Sequence, residues 1–273
     1  MNYRHAYHAG NHTEVFKHTA LALLLRHLLL KPKPFMVLDT HAGTGLYDLA
    51  APEALKTSEA RDGVGRLDLS RLEAAAPYAA AVEPYLARGN YPGSPTIAAD
   101  VLRATDRLVA CELHPDDVDH LRRRFAADKR VSVHHRDGYE AMLALIPPPE
   151  RRGLIFIDPP FERTDEADRL AKRLVAAAAK WPTGILAAWY PIKDFRMASL
   201  LDATLEQAGI PNVLRVDFLR ARIDGISLVG GGMIFINPPW RYAEELGTAA
   251  TELLTGMGCA DGRFEARWIA RAP

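Results

Sequence analysis

RRGLIFIDPPF, residues 151–161, decides how the rest of the chain is read. Its apolar run at 154–157 is too short for a helix and lacks polar alternation, the pattern of a strand covered on both faces. Asp158 ends the run, and Pro159 and Pro160 hold the backbone extended just beyond it. Similar runs occur at 35–38 before Asp39, at 108–111 before Glu112, at 131–133 ahead of Asp137, and at 233–236 before Asn237. Residues 184–189 and 213–219 add two more strands. Helical spacing fills 14–30, 116–127, 165–181 and 196–209, the last closing on Gly209 as a C-cap. Strand and helix in alternation predict an α/β fold with a mostly parallel seven-stranded sheet. Ligands in such sheets bind beyond the carboxyl ends of the strands. The interval from Asp39 to Glu112 is too long for one crossover helix, and its alanine-rich, proline-punctuated middle predicts a small helical insert. The expected division is 1–49 as N-terminal arm and first strand, 50–95 as the inserted helices, and 96–273 as the rest of the sheet domain.

Composition narrows the class. The chain has 273 residues, 34 Lys plus Arg against 34 Asp plus Glu, and is 48% hydrophobic. That apolar fraction at zero formal charge excludes a disordered chain, and two distant cysteines, Cys111 and Cys259, exclude a disulfide framework. The longest apolar stretch, 19–30, is interrupted by Arg26 and His27 and is too short to span a bilayer. A reducing, cytoplasmic location without membrane attachment is expected. Neutrality argues against a broad phosphate-binding surface. Locally, however, residues 1–38 hold Arg4, Lys17, Arg26, Lys31 and Lys33 against Glu14 alone, with five histidines besides. A second basic stretch spans 122–136; as a bland reading it is the solvated face of a helix and its exit loop.

The acid-tipped strands point to a nucleoside. In LDTHAGTG, 38–45, Gly43 and Gly45 let backbone approach a ligand closely. The third glycine of a dinucleotide fingerprint is absent, Asp48 standing in its place, which disfavours a nicotinamide oxidoreductase. Glu112 at the next strand tip can accept ribose hydroxyls, and Asp137 with Gly138 can receive an adenine ring. Each also reads as an ordinary turn or helix-start residue. Asp158 with the Pro159 carbonyl forms a preset acceptor pair for an exocyclic amine, and Phe161 offers a face on which a base stacks. Asn237-Pro-Pro-Trp240 is a rival copy, otherwise an extended exit from an edge strand with Trp240 capping the core. His5, His8 and His12 have spacings open to a metal. No CxxC or HExxH accompanies them and Gly10-Asn11 interrupts a helix there, so no metal site is expected.

The D-P-P-F block resembles the amino-methyltransferases that use S-adenosylmethionine and carry D/N-P-P-Y/F/W. The N-terminal 1–18, LDTHAGTG, YPGSP at 91–95, ELHP at 112–115, DG at 137–138, RRGLIFIDPPF and INPPW at 236–240 follow in an order similar to the bacterial J-type (RlmJ) family of large-subunit ribosomal RNA adenine-N6 methyltransferases. The resemblance implies a monomeric class I (Rossmann-like) methyltransferase acting on one adenine N6 of 23S ribosomal RNA. It makes Asp158, Pro159 and Phe161 the catalytic group, with Asp158 counted among the cofactor contacts as well. Lys17, His18 and His41 become contacts to the methionine end of the cofactor and Ser94 a further one, with Glu112 on the ribose and Asp137 and Gly138 on the adenine ring. Tyr3, His5 and His8 would face RNA. Phe161 departs from the tyrosine common in the wider motif, which removes a hydroxyl and keeps the stacking face. Rival readings are a DNA adenine-N6 or cytosine-N4 methyltransferase and a non-catalytic RNA-binding protein on the same fold.

Overall fold

A computed structural model describes residues 7–271. Helix α1 (His12–Leu29) opens the described chain, capped by the Asn11 side chain, which accepts from the Glu14 amide. Every residue from 12 to 25 is buried, so α1 is a central rod rather than a surface helix. Strand β1 (Met36–Asp39) follows, then β2 (Leu46–Asp48), helices α2 (Pro52–Thr57) and α3 (Glu59–Asp62), two short 3-10 turns, α4 (Ala76–Leu86) and β3 (Asn90–Pro92). β2 and β3 pair antiparallel and bracket this excursion. Tyr78, Val82 and Tyr91 share one core cluster with Phe16 of α1 and Val37 of β1.

The chain continues through α5 (Ser94–Val101), β4 (Arg107–Glu112), α6 (Pro115–Phe125), β5 (Val131–His135), α7 (Gly138–Ala144), β6 (Gly153–Ile157), α8 (Glu166–Lys180), β7 (Ile185–Ile192), α9 (Arg196–Gln207), β8 (Val213–Leu219), β9 (Gly230–Ile236), α10 (Tyr242–Gly256) and β10 (Arg263–Ala270). The strands order as β10-β8-β9-β7-β6-β1-β4-β5. β5, β4, β1, β6 and β7 are parallel; β9 runs antiparallel between β7 and β8. This is the expected doubly wound, mostly parallel α/β sheet with one extra edge strand. In β6, Leu154 and Phe156 face the cluster holding α1, α4, α5 and α10, whereas Ile155 and Ile157 face the cluster of α7, α8 and α9. Helices on both faces explain why these strands read as unbroken apolar runs. Among the described residues, no helix is long and apolar enough to cross a membrane.

Two expectations are corrected. The sheet has eight strands, because β10 pairs antiparallel with β8 at the open edge. Arg263, Glu265 and Arg267 stay exposed along it, and an edge strand with one wet face lacks the apolar run used to find the others. Asn237 also does not leave an edge strand. Since β9 is antiparallel, its end lies beside the start of β7, with Ile236 opposite Leu186. The Asn237 side-chain Nδ2 donates to the carbonyls of Pro182 (2.8 Å) and Gly184 (3.0 Å), at the edge away from the acid-bearing strand tips. Trp240 is 89% exposed and caps no core.

Phe156 is fully buried in the middle of β6. Phe156→Ala is expected to lower the unfolding free energy by about 3–5 kcal/mol, read as a lower urea midpoint with an unchanged slope. A loss below about 1 kcal/mol would contradict this packing.

Candidate active site

The strand order brings the sequence-distant acids to one edge. Beyond β1, β4 and β5 lies a cavity of about 620 Å³, walled by Thr40, His41, Gly43, Ser94, Glu112, Asp137, Gly138 and Asp158 among others. Its size suits a nucleoside-sized ligand. Glu112 is fixed by backbone donors: the amide of Gly43 reaches Oε2 at 2.8 Å, and those of Leu113 and His114 reach Oε1 at 2.7 Å each. Asp137 caps α7 through the Glu140 amide at 3.0 Å and receives Arg169 at 2.7 Å. Burial alone would raise the Asp137 carboxyl, but the Arg169 and backbone hydrogen bonds hold it below the usual range. The Arg169 guanidinium also lies 4.4 Å from the Tyr139 ring centroid. At Gly138 a Cβ would stand 2.0 Å from the Thr40 carbonyl oxygen, so no larger residue fits without moving the β1 turn.

His41 and Ser94 both face this cavity. His41 places Nδ1 2.8 Å from Thr40 Oγ1, and burial lowers its pKa to about 4, leaving a neutral imidazole. Ser94 donates to Asp39 Oδ2 at 2.7 Å. Asp39 is buried behind that wall; burial pushes its carboxyl up to about 7, against the Ser94 hydrogen bond and aided by nearby Asp158.

A smaller pocket of about 180 Å³ adjoins the first. Asp158 and Pro160 line both, and the small one is completed by His8, Lys17, Pro159, Phe161, Trp189, Pro191, Lys193 and Leu228, among others. The Lys17 ammonium is held between Asp158 and Glu14. Burial alone would lower its pKa, but these two carboxylates outweigh that and raise it. Phe161 takes φ 50°, a left-handed conformation rare for an aromatic. Its ring meets Trp189 edge-on, with centroids 5.8 Å apart. His8 ties this rim to the insert, Nδ1 lying 3.0 Å from Glu59.

The expected site residues therefore converge with two qualifications. Lys17 lines the small pocket and is engaged with Asp158, and is not part of the large cavity's wall. His18 lines neither: it is 1% exposed and its Nδ1 sits 3.1 Å from the Tyr91 hydroxyl. Tyr3 and His5 lie outside the described residues. Gly10 (φ 75°) and the Asn11 cap separate His8 from His12, so the two do not share a continuous helix. In the basic stretch, Arg122, Arg130 and Arg136 pair locally with Asp119, Asp128 and Glu140, and Arg124 reaches Thr96.

A family model described as ribosomal RNA large subunit methyltransferase D, RlmJ, matches residues 32–270. Ribosomal RNA large subunit methyltransferase J of Haemophilus influenzae is 40% identical over 98% of this chain and 99% of its own. The protein of the same name from Escherichia coli is 38% identical over 90% of each chain. This chain belongs to the RlmJ family. A crystal structure of a Legionella pneumophila protein superposes with a TM-score of 0.88 at 33% identity, covering 95% of this chain and 98% of that one.

Within this candidate site, sequence reasoning missed Glu14, Asp39, Tyr139, Arg169 and Trp189. Asp39 could have been found as another acid-tipped strand. Glu14, Arg169 and Trp189 carry no local signal, because their partners lie on other elements.

Asp39 provides a stability test. Its folded pKa of about 7 exceeds the ordinary 3.8. Between these values the folded state holds a proton that the unfolded state releases, so stability falls as pH rises through that window and is greatest below it. Urea unfolding of wild type and Asp39→Asn at pH 5 and pH 7.5 should show wild type losing ground to the variant at the higher pH. A gap independent of pH would contradict the raised carboxyl.

Proposed function

We propose that this chain, acting as a cytoplasmic monomer, transfers the methyl group of S-adenosylmethionine to the exocyclic N6 of one adenine in large-subunit ribosomal RNA. The observation that carries this reading is the meeting of two cavities at one carboxylate: a nucleoside-sized chamber and a base-sized pocket share Asp158 and Pro160. The large chamber fits the cofactor by its chemistry. Glu112, already clamped by three amides, keeps acceptor capacity for ribose hydroxyls. Asp137 stands where an adenine amino group would donate, and the bare Cα of Gly138 leaves room for the ring. His41 and Ser94 line the end nearest β1, where the methionine portion would lie. When bound, S-adenosylmethionine supplies a sulfonium methyl group as electrophile.

The remaining work falls to the chain's own groups. An aromatic amine is a weak nucleophile because its lone pair is delocalised into the ring. Asp158 and the Pro159 carbonyl accept its two N–H groups and turn the nitrogen toward the large chamber. Lys17 orients Asp158 through their ion pair. Phe161 and Trp189 give the base an aromatic wall, and such stacking is worth about 1–3 kcal/mol, which offsets the few kcal/mol of unstacking it from its neighbours. As the new bond forms the amine becomes acidic, and the Asp158 carboxylate is placed to take the proton. His8, beside this pocket, would meet the RNA; Tyr3 and His5 are proposed to do the same.

Asp158→Ala should lower methyl transfer to large-subunit ribosomal RNA by at least about 100-fold, within the range for general acid–base and positioning groups. Calorimetric affinity for S-adenosylmethionine should change little, since Lys17 keeps Glu14 as a partner. Lost cofactor binding would instead assign Asp158 to the cofactor. Mass spectrometry of 23S ribosomal RNA from cells lacking the protein should reveal one adenine that has lost its N6-methyl group. Methyl transfer to DNA but not RNA would overturn the substrate assignment.

A further inference from the structure

β7 does not stop level with Asp158. Ile157, the last residue of β6, pairs with Ala188, and β7 continues to Ile192. At about 3.3 Å per residue, these four residues carry the strand roughly 13 Å past the tip of β6. β9 begins opposite that extension, with Gly230 against Ile192, and β8 ends there, with Leu219 against Gly230. The β8–β9 hairpin at 220–229 therefore overhangs the edge where the two cavities meet. Its root is anchored: Val229 is buried, its amide donating to the Ile192 carbonyl at 3.1 Å, and Arg220 donates to the Val229 carbonyl at 2.9 Å. Leu228 forms part of the small pocket's wall.

The tip beyond Leu228 is built and preset. Asp224 accepts from the amides of Ile226 and Ser227, each at 2.8 Å, and Gly225 takes φ 78°. These backbone hydrogen bonds lower the Asp224 pKa to about 2, so the turn persists across ordinary pH. The turn holds Ile226 81% exposed, two residues from the pocket wall. A lone exposed isoleucine on a protein surface needs no explanation. Here it stands on a fixed turn two residues from the wall of a base-sized pocket, on a hairpin that also carries cations. Arg220 and Arg222 are exposed on the hairpin, and Lys193 is exposed where β7 ends. Arg222 lies 3.2 Å from Asp261 in a surface pair, a weak tie that a phosphate readily replaces. The neighbouring acids Asp194, Asp224 and Asp261 are each already engaged, Asp194 with Arg196, Asp224 with backbone amides and Asp261 with Arg222.

An adenine that enters the small pocket leaves a gap in its own stack, and apolar side chains are known to occupy such gaps by inserting between bases. We propose that Ile226 is a wedge that fills the space vacated by the target adenine, with Arg220, Arg222 and Lys193 taking the flanking phosphates. This inference rests on the adenine assignment made above. It names Ile226 as a positioning residue: it touches the RNA strand and not the reacting atoms.

The test compares wild type with Ile226→Ser and Ile226→Leu on an unmodified transcript of large-subunit ribosomal RNA, measuring both methyl transfer and retention of the transcript on a filter. The residue is exposed, so neither substitution threatens folding. Ile226→Ser should lower kcat/KM by about ten-fold or more and weaken retention. Ile226→Leu should stay within about three-fold of wild type, and calorimetric affinity for S-adenosylmethionine should be equal in all three. Equal transfer and equal retention by the serine variant would overturn the wedge, as would a loss shared by the leucine variant, which would place the effect in the turn. If wild type transferred no methyl group to the transcript, retention would still decide: a serine defect would support the RNA contact while the adenine assignment failed, and equal retention would overturn both.

Discussion

The contact between Lys17 and Asp158 spans 141 positions of sequence and joins the two halves of the site. Lys17 rides on α1, a helix buried on all sides through its first turns; Asp158 follows directly on β6, a strand buried on both faces. Neither charge could sit there alone, since an unpaired buried ion costs several kcal/mol. Glu14 makes the cluster a triad, with two carboxylates around one ammonium. The packing of α1 against the sheet thus determines where the Asp158 carboxylate points. The rigidity of the two prolines is useful only because that partner is in place.

Strand direction is the second constraint. Four of the five parallel strands deliver Asp39, Glu112, Asp137 and Asp158 to one edge, as the doubly wound arrangement requires. The antiparallel β9 carries Asn237-Pro-Pro-Trp240 to the opposite edge and brings the β8–β9 hairpin to the active one. Two motifs nearly identical on paper are separated by the width of the sheet, solely because one strand is reversed. The residues by which the parallel β7 outruns β6 include Trp189 and Pro191, which stand in the small pocket's wall.

Much of the fold was legible because fully covered strands must be apolar on both faces, and that pattern survives in one dimension. Seven strands and the helices α1, α6, α8 and α9 follow from it. The short helices α5 and α7 escaped it, as did α10 and the wet edge strand β10. In the site, residues at strand tips were legible because their position after an apolar run already states which end of the sheet they occupy. His18 shows the limit. It neighbours Lys17 in sequence, yet one helical step turns it away from both cavities and against Tyr91.

The amino-acid sequence by itself determined an α/β sheet, the acids Glu112, Asp137 and Asp158 at three strand tips, the stiff Asp158-Pro-Pro-Phe corner and the likeness to a methyltransferase family. These depend on local backbone preferences and on apolar periodicity, which neighbouring residues specify. Only the tertiary structure decided that Lys17 is paired with Asp158 and Glu14, that Arg169 buttresses Asp137, and that Asn237 belongs to the far edge. It also decided that Leu228 of the β8–β9 hairpin forms part of the small pocket's wall. Those outcomes depend on strand direction and on contacts between residues tens to hundreds of positions apart, which side-chain periodicity does not encode.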